Sequence, residues 1–98
     1  WGGTLVLKGS GTLVGGGTGT PWVIPTGNPG MATAGMGDVL TGITAGLVAQ
    51  AGAGVPAADL AAAAAFVHGA AGDVAARGGQ RGILASDLIG QLRPWLNP

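Results

Sequence analysis

Residues 30–40 read Gly-Met-Ala-Thr-Ala-Gly-Met-Gly-Asp-Val-Leu, a glycine loop that turns into an amphipathic helix. Gly35 and Gly37 lack a Cβ, so we expect the backbone to turn tightly there. Successive N–H groups would then point at an anion where the helix macrodipole is positive. Asp38 would lie where that anion meets a hydroxyl. The stretch is therefore typical of a phosphoryl-transfer site at a loop-to-helix junction.

Short apolar runs precede this junction. Residues 4–7 read Thr-Leu-Val-Leu and predict a buried strand that ends at Lys8. Residues 13–14 and 22–24 predict two more strands, separated by a glycine-rich turn. Strands followed by helices, with a glycine loop at the switch, indicate part of an α/β domain that binds ligands at the carboxyl ends of its strands.

Helical spacing follows the junction. Leu40, Ile43 and Leu47 recur on one face of a helix that begins at Asp38 and ends at Gly52. The chain thus changes from a period typical of strands to one typical of helices within a few residues.

Two further helices are expected downstream. Pro56 suits the first turn of a helix that runs to about residue 76, and its alanine-rich sequence predicts cover on both faces. Ser86 predicts the N-cap of a short last helix over 87–92, which Pro94 would end.

Composition limits the classes of partner. The chain has 98 residues and 22 glycines, so it would bury only about 60–65% of its unfolded surface, and we expect a partner segment and a homo-oligomer. Because the chain opens at Trp1, we interpret it as a fragment of a longer polypeptide.

Charge and hydropathy exclude other partners. Four basic and four acidic residues cancel, which argues against nucleic acid and anionic membrane surfaces as partners. The longest apolar run, 60–67, is far shorter than the roughly 20 residues that cross a bilayer. Cysteine is absent, and a cytoplasmic location is the default expectation.

The stretch from Lys8 to Thr12 is the first candidate for chemistry. A cation, two glycines and two hydroxyls follow a strand, and together they could surround a phosphate. The alternative is a tight turn with a solvated lysine. Because this lysine is in no Gly-x-x-x-x-Gly-Lys-Ser/Thr order, a P-loop is excluded.

Asp38 is the second candidate, and it has two interpretations. It could cap the helix N-terminus or complement its dipole, which is worth about 1 kcal/mol. A carboxylate in an anion cradle is otherwise unfavourable unless it accepts a proton or binds the nucleophile, and this favours catalysis. We interpret His68 as a packed or capping histidine, and Asp73 and Asp87 as helix-end residues.

Four blocks of the sequence together resemble the carboxyl-terminal part of the ADP- or ATP-dependent NAD(P)H-hydrate dehydratases. The resemblance covers nearly the whole chain, and its central block is specific. The blocks are Lys8-Gly9-x-x-Thr12, residues 27–42, His68-Gly69-x-Ala71-Gly72-Asp73 and Ala85-Ser86-Asp87-Leu88.

The resemblance implies a ribokinase-like three-layer α/β fold, with residues 1–98 as the carboxyl-terminal segment of one dehydratase domain. It implies repair of hydrated NADH or NADPH: a phosphoryl group from ADP or ATP, with Mg²⁺, passes to the ring hydroxyl, and phosphate then leaves. Asp38 would contact the hydrate and act as general base. The residues implied for the adenine nucleotide are Lys8, Gly9, Ser10, Gly11, Thr12 and Gly37.

One position departs from the broader ribokinase-like pattern. That pattern begins its motif with an acidic residue where this chain has Ala32, a departure that matches the dehydratase branch and argues against a sugar kinase. It also leaves no metal-binding residue assigned. Two alternatives to the dehydratase stay open, a kinase of another small alcohol and a non-catalytic fragment.

Overall fold

The computed structural model describes residues 4–7, 12–16, 21–52 and 54–97. Three strands form one antiparallel sheet in the order β1-β2-β3, and they confirm the three predicted strands. They are β1 (Thr4–Leu7), β2 (Thr12–Gly16) and β3 (Trp22–Ile24).

The register of the sheet places the ends of two strands together. Leu7 pairs with Leu13, and Thr12 pairs with Ile24. Strands joined by short connections can only be antiparallel neighbours. The carboxyl ends of β1 and β3 therefore lie at the same end of the sheet as the start of β2. The expectation that ligands bind at the carboxyl ends of strands can apply there only to β1 and β3.

Four helices follow the sheet in the described part of the chain, interrupted by two single-turn 3₁₀ segments. The helices are α1 (Met36–Gln50), α2 (Ala57–Ala75), α3 (Ala85–Ile89) and α4 (Arg93–Leu96). The 3₁₀ turns are Pro29–Met31 and Ala76–Gly78.

The predicted starts of the first two helices are shifted. Gly35, at φ 87°, is the N-cap of α1, so the helix begins at Met36 and not at Asp38. Pro56 lies just outside α2, where its carbonyl accepts hydrogen bonds from the first-turn amides of Asp59 and Leu60.

The prediction for the last helix is wrong at both ends. Leu84 is the N-cap of α3, because the carboxylate of Asp87 accepts its N–H at 2.9 Å, and Ser86 falls inside the first turn. The helix ends at Ile89. Pro94 does not end α3 but lies in the first turn of α4, since proline lacks an N–H that the first turn of a helix leaves unpaired anyway.

Helix α2 lies between the sheet and α1. Ala61, Ala62 and Ala65 pack on Val14 and Ile24 of the sheet. Other buried α2 alanines contact α1 and α3, Ala64 beside Leu40 and Ile43, and Ala71 beside Met36, Ile83 and Leu88. The small side chains allow close approach on both sides.

Parts of the apolar surface stay uncovered. The sheet and α1 cover α2 on two faces, as predicted, whereas Ala63 and Phe66 of the same helix are exposed. Leu13 and Val23 pair across β2 and β3 on the sheet face opposite Val14, and both are exposed. No helix in the described part of the chain is long and apolar enough to span a membrane.

Candidate active site

A cleft of about 790 Å³ opens at the end of the sheet where β1 and β3 finish and β2 begins. Its walls come from the start of β2, from the segment after β3 and from one face of α2. The lining residues include Thr12, Ile24, residues 25–29, Met31, Ala32, Ala65, His68 and Gly69.

The segment after β3 approaches the backbone of α2 at two glycines. A Cβ on Gly69 would lie 2.6 Å from the carbonyl carbon of Thr26 and would also meet its Oγ1. A Cβ on Gly72 would overlap the side chain of Met31. The Thr26 main chain cannot move aside by a change of rotamer, so the segment can take this path only beside glycine at position 69, whereas at position 72 the Met31 side chain would have to move.

Polar contacts attach the same segment to α2. Thr26 Oγ1 donates to the carbonyl of Phe66 at 2.9 Å. Asp73 accepts two hydrogen bonds, from the Gly27 N–H at 3.0 Å and from Asn28 Nδ2 at 2.9 Å. Asn28 in turn caps the 3₁₀ turn, since its Oδ1 accepts the N–H of Gly30 at 3.0 Å. Two turns of α2 thus hold the cleft wall.

His68 links α2 to the start of α1. Its side chain is buried, and Nε2 lies 3.1 Å from the carbonyl oxygen of Met36. Because a carbonyl can only accept, this hydrogen bond requires the proton on Nε2. The interpretation of His68 as a packed histidine is confirmed.

The N-terminus of α1 has the backbone that an anion cradle needs. Gly35 is left-handed, as expected. The N–H of Met36 donates to the carbonyl of Thr33 at 3.4 Å, whereas those of Gly37 and Asp38 meet no acceptor among the described residues. Such first-turn amides are the donors that helices offer to anions.

Gly37 does not make the tight turn that was expected there. It is helical and has no positive φ, so the turn does not require it. No described atom lies within 4 Å of an ideal Cβ at this position. No described residue therefore occupies the space that a side chain at position 37 would take.

The side chain of Asp38 is exposed at the third position of α1. Its carboxylate accepts no hydrogen bond from the residues that the structure describes. The alternative that it caps the helix through a hydrogen bond is thus not supported there, although its charge still complements the dipole. The carboxylate is available to a ligand.

The predicted site residues do not all meet in one place. Thr12 lines the cleft, but neither Gly37 nor Asp38 does. Lys8, Gly9, Ser10 and Gly11 lie outside the described residues. Residues 33–35 connect the cleft wall to the start of α1, so the two parts of the candidate site belong to one continuous segment.

Residues that could hold a metal are sparse. No group of three or more histidine, aspartate or glutamate side chains converges within the described ranges. Mg²⁺ is commonly held by one or two carboxylates together with phosphates and water. Of the described residues near the cradle, Asp38 is the carboxylate that fits such a role.

Sequence reasoning missed the contribution of α2. Asp73 lies near the end of α2, as predicted, but its carboxylate binds the loop 46 residues away. The signal was present in Gly69 and Gly72, because glycine inside a helix usually has a packing or functional reason. Their spacing from His68 and Asp73 puts all four near one face.

Comparison with known proteins identifies the family. A sequence model described as NAD(P)H-hydrate dehydratase matches residues 1–94. The chain is 53% identical over 97 residues to the bifunctional NAD(P)H-hydrate repair enzyme Nnr of Coxiella burnetii, covering 98% of this chain and 19% of that protein. It is 46% identical over 98 residues to the ADP-dependent (S)-NAD(P)H-hydrate dehydratase of Neisseria meningitidis, covering 97% and 31%.

A solved structure agrees with this result. The ADP/ATP-dependent NAD(P)H-hydrate dehydratase of Bacillus subtilis, co-crystallized with ATP/Mg²⁺, superposes with a TM-score of 0.82 at 30% identity. The match covers 95% of this chain and 33% of that one. The predicted ribokinase-like α/β fold class is confirmed. The chain spans between a fifth and a third of the length of these relatives.

Proposed function

Because this chain belongs to the NAD(P)H-hydrate dehydratase family, we propose that it forms the carboxyl-terminal part of an enzyme that dehydrates hydrated NADH or NADPH at the expense of ADP or ATP. The observation that carries the proposal is the start of α1. Among the described residues, neither the amides of Gly37 and Asp38 nor the Asp38 carboxylate has a hydrogen-bond partner there. This is an anion cradle with a base at its rim.

In the proposed reaction, the carboxylate of Asp38 accepts the proton of the ring hydroxyl as that oxygen attacks the terminal phosphorus of the nucleotide. The bond from this phosphorus to the bridging oxygen breaks, and the nucleotide leaves with one phosphate fewer. The new phosphate ester then departs as inorganic phosphate, with loss of a proton from the adjacent ring carbon, and the double bond returns. Phosphorylation converts a poor leaving group into a good one.

The protein contributes orientation and charge stabilisation to this transfer. The Gly37 and Asp38 amides would stabilise negative charge on the transferred group, as donors fixed before the reaction begins. We propose that the residues from the end of β1 to the start of β2 complete the nucleotide site, namely Lys8, Gly9, Ser10, Gly11 and Thr12. Mg²⁺ would supply further charge neutralisation, bound mainly by phosphate and water oxygens.

The remaining parts of the site would come from the rest of the domain. We expect the isolated 98 residues to bind nucleotide weakly and to catalyse nothing. We also propose a cytoplasmic homo-oligomer as the working form.

The test replaces Asp38 with Asn in the full-length protein that carries this chain. Asp59→Asn is a matched control, because Asp59 occupies the same third position in α2 and its removal changes charge and helix dipole equally. The assay follows the return of dihydronicotinamide absorbance from hydrated NADH with ATP or ADP.

We expect kcat of the Asp38→Asn variant to fall by about 10²–10⁴-fold, the usual contribution of a general base, and that of Asp59→Asn to stay near the wild-type value. Equal activity of the two variants would show that Asp38 only complements the helix. Nucleotide consumption with another small alcohol, and none with the hydrate, would favour the kinase alternative.

A further inference from the structure

Asp73 uses both carboxylate oxygens on one short segment of the cleft wall. Oδ2 accepts the N–H of Gly27 and Oδ1 accepts Nδ2 of Asn28, at 3.0 and 2.9 Å. Asp73 lies near the carboxyl end of α2, 45 residues from Asn28 in sequence. A bidentate contact across this separation fixes both position and orientation of the segment.

The contact determines which way the Asn28 amide faces. With Nδ2 bound to Asp73, Oδ1 must turn toward the Gly30 N–H, which it accepts at 3.0 Å. This second bond caps the 3₁₀ turn Pro29–Met31. The Asp73 carboxylate thus connects α2, through the side chain of Asn28, to the 3₁₀ turn.

The turn in question shapes the cleft and leads to the cradle. Asn28, Pro29 and Met31 line the cleft, together with Thr12. The segment also depends on special backbone geometry, since Gly27 has φ 114° and a Cβ on Gly30 would meet the carbonyl of Gln80. Glycine-rich backbone has many alternatives, so it needs fixed partners to keep one conformation.

We propose that Asp73 is a positioning residue that sets the conformation of residues 27–31 and thereby the affinity of the cleft for nucleotide. The effect on the conformation of residues 27–31 is independent of the function proposed above, whereas the effect on nucleotide affinity rests on that function. Asp73 and its two bonds are exposed, and exposed hydrogen bonds add little to global stability. Its effect is therefore local, on the cleft wall and not on folding.

A swap of the two side chains provides the test, in the full-length protein. Asp73→Asn sets the amide at position 73 against the Asn28 amide, and Asn28→Asp sets two carboxylates together. In the double variant N28D/D73N, the amide at position 73 donates to the carboxylate at position 28. All three hydrogen bonds can then re-form with the net charge unchanged.

Hydrogen exchange of the backbone amides in 27–32, measured without nucleotide, reports on the segment itself. We expect about tenfold faster exchange in each single variant, the effect of losing one such hydrogen bond, and recovery in the double variant. Asp59→Asn, which changes the charge of the same helix away from the cleft, should leave this exchange unchanged.

Steady-state kinetics then test the link to the cleft. We expect the nucleotide KM of Asp73→Asn to rise about tenfold while the hydrate KM stays within about twofold, with at least partial recovery in the double variant. Unchanged exchange in both single variants, or faster exchange with an unchanged nucleotide KM, would overturn the proposal. A wild-type protein without nucleotide-dependent turnover would instead refute the proposed function.

Discussion

Gly69→Ala is the substitution for which the structure gives the sharpest expectation. The new Cβ would lie 2.6 Å from the carbonyl carbon and 2.7 Å from the carbonyl oxygen of Thr26. Carbon atoms pack at about 3.5–4.0 Å, so the backbone at Thr26 must move by about 1 Å. The carbonyl carbon and oxygen belong to the main chain, so a change of the Thr26 rotamer could move Oγ1 away but could not relieve the rest of the overlap.

Two opposing effects determine the stability of this variant. Alanine is better than glycine inside a helix by about 0.5–1 kcal/mol. Overpacking costs about 1–3 kcal/mol, and the Thr26–Phe66 hydrogen bond of 2.9 Å would be strained as well. We therefore expect net destabilisation of about 1–2 kcal/mol.

The catalytic effect should exceed the effect on folding. Thr26 lies in the cleft wall, and a misplacement of about 1 Å at a binding surface can lower kcat/KM by about 100-fold. Urea unfolding and steady-state kinetics on the full-length protein measure the two quantities. Gly46→Ala is the control, because it lies within α1 with no described atom within 4 Å of its Cβ.

The control should be stabilised by up to about 1 kcal/mol at unchanged activity. If Gly69→Ala behaved in the same way, the close approach of the segment to α2 would be refuted, and with it the role assigned to this helix.

Two further predictions concern α1 and the core. Gly37→Ala should raise stability as Gly46→Ala does, since both are helical with open space around the Cβ. Yet it should raise the Kd for ATP at least about tenfold by placing a methyl group beside the amides of Gly37 and Asp38, and equal ATP binding by both variants in calorimetry would contradict the cradle. Leu88→Ala should lower the free energy of unfolding by about 2–5 kcal/mol, because Leu88 is fully buried against Met36. Ile89→Ala, 54% exposed, should change it by less than about 0.5 kcal/mol in the same urea titration, and similar losses would mean that α3 is packed differently.

Local pattern was sufficient to predict most of the elements. Apolar runs gave the three strands, and the recurrence of Leu40 and Ile43 gave α1, because burial of one face enforces the period. The errors lie at helix ends. Ser86 and Pro94 suit an N-cap and a stop by type, but Asp87 reaches the N–H of Leu84 and moves the start two residues upstream. Such choices depend on hydrogen bonds that compete at close range.

The candidate site was predictable only where one segment contains it. Gly35 and Asp38 belong to a single turn, and sequence placed them correctly at the start of α1. The hydrogen bonds of Asp73 to Gly27 and Asn28 join parts of the chain that only the packing of α2 brings together. Periodicity contains no information on which loop a helix face will meet.

Helix α2 packs against the sheet and α1 while its last turns hold the cleft wall. Random mutagenesis of this helix would thus yield variants in which solubility and catalysis decline together, and an expression screen alone could not separate the two. Engineering for thermal robustness should instead begin on α1, where a Cβ on Gly46 would meet no described atom within 4 Å.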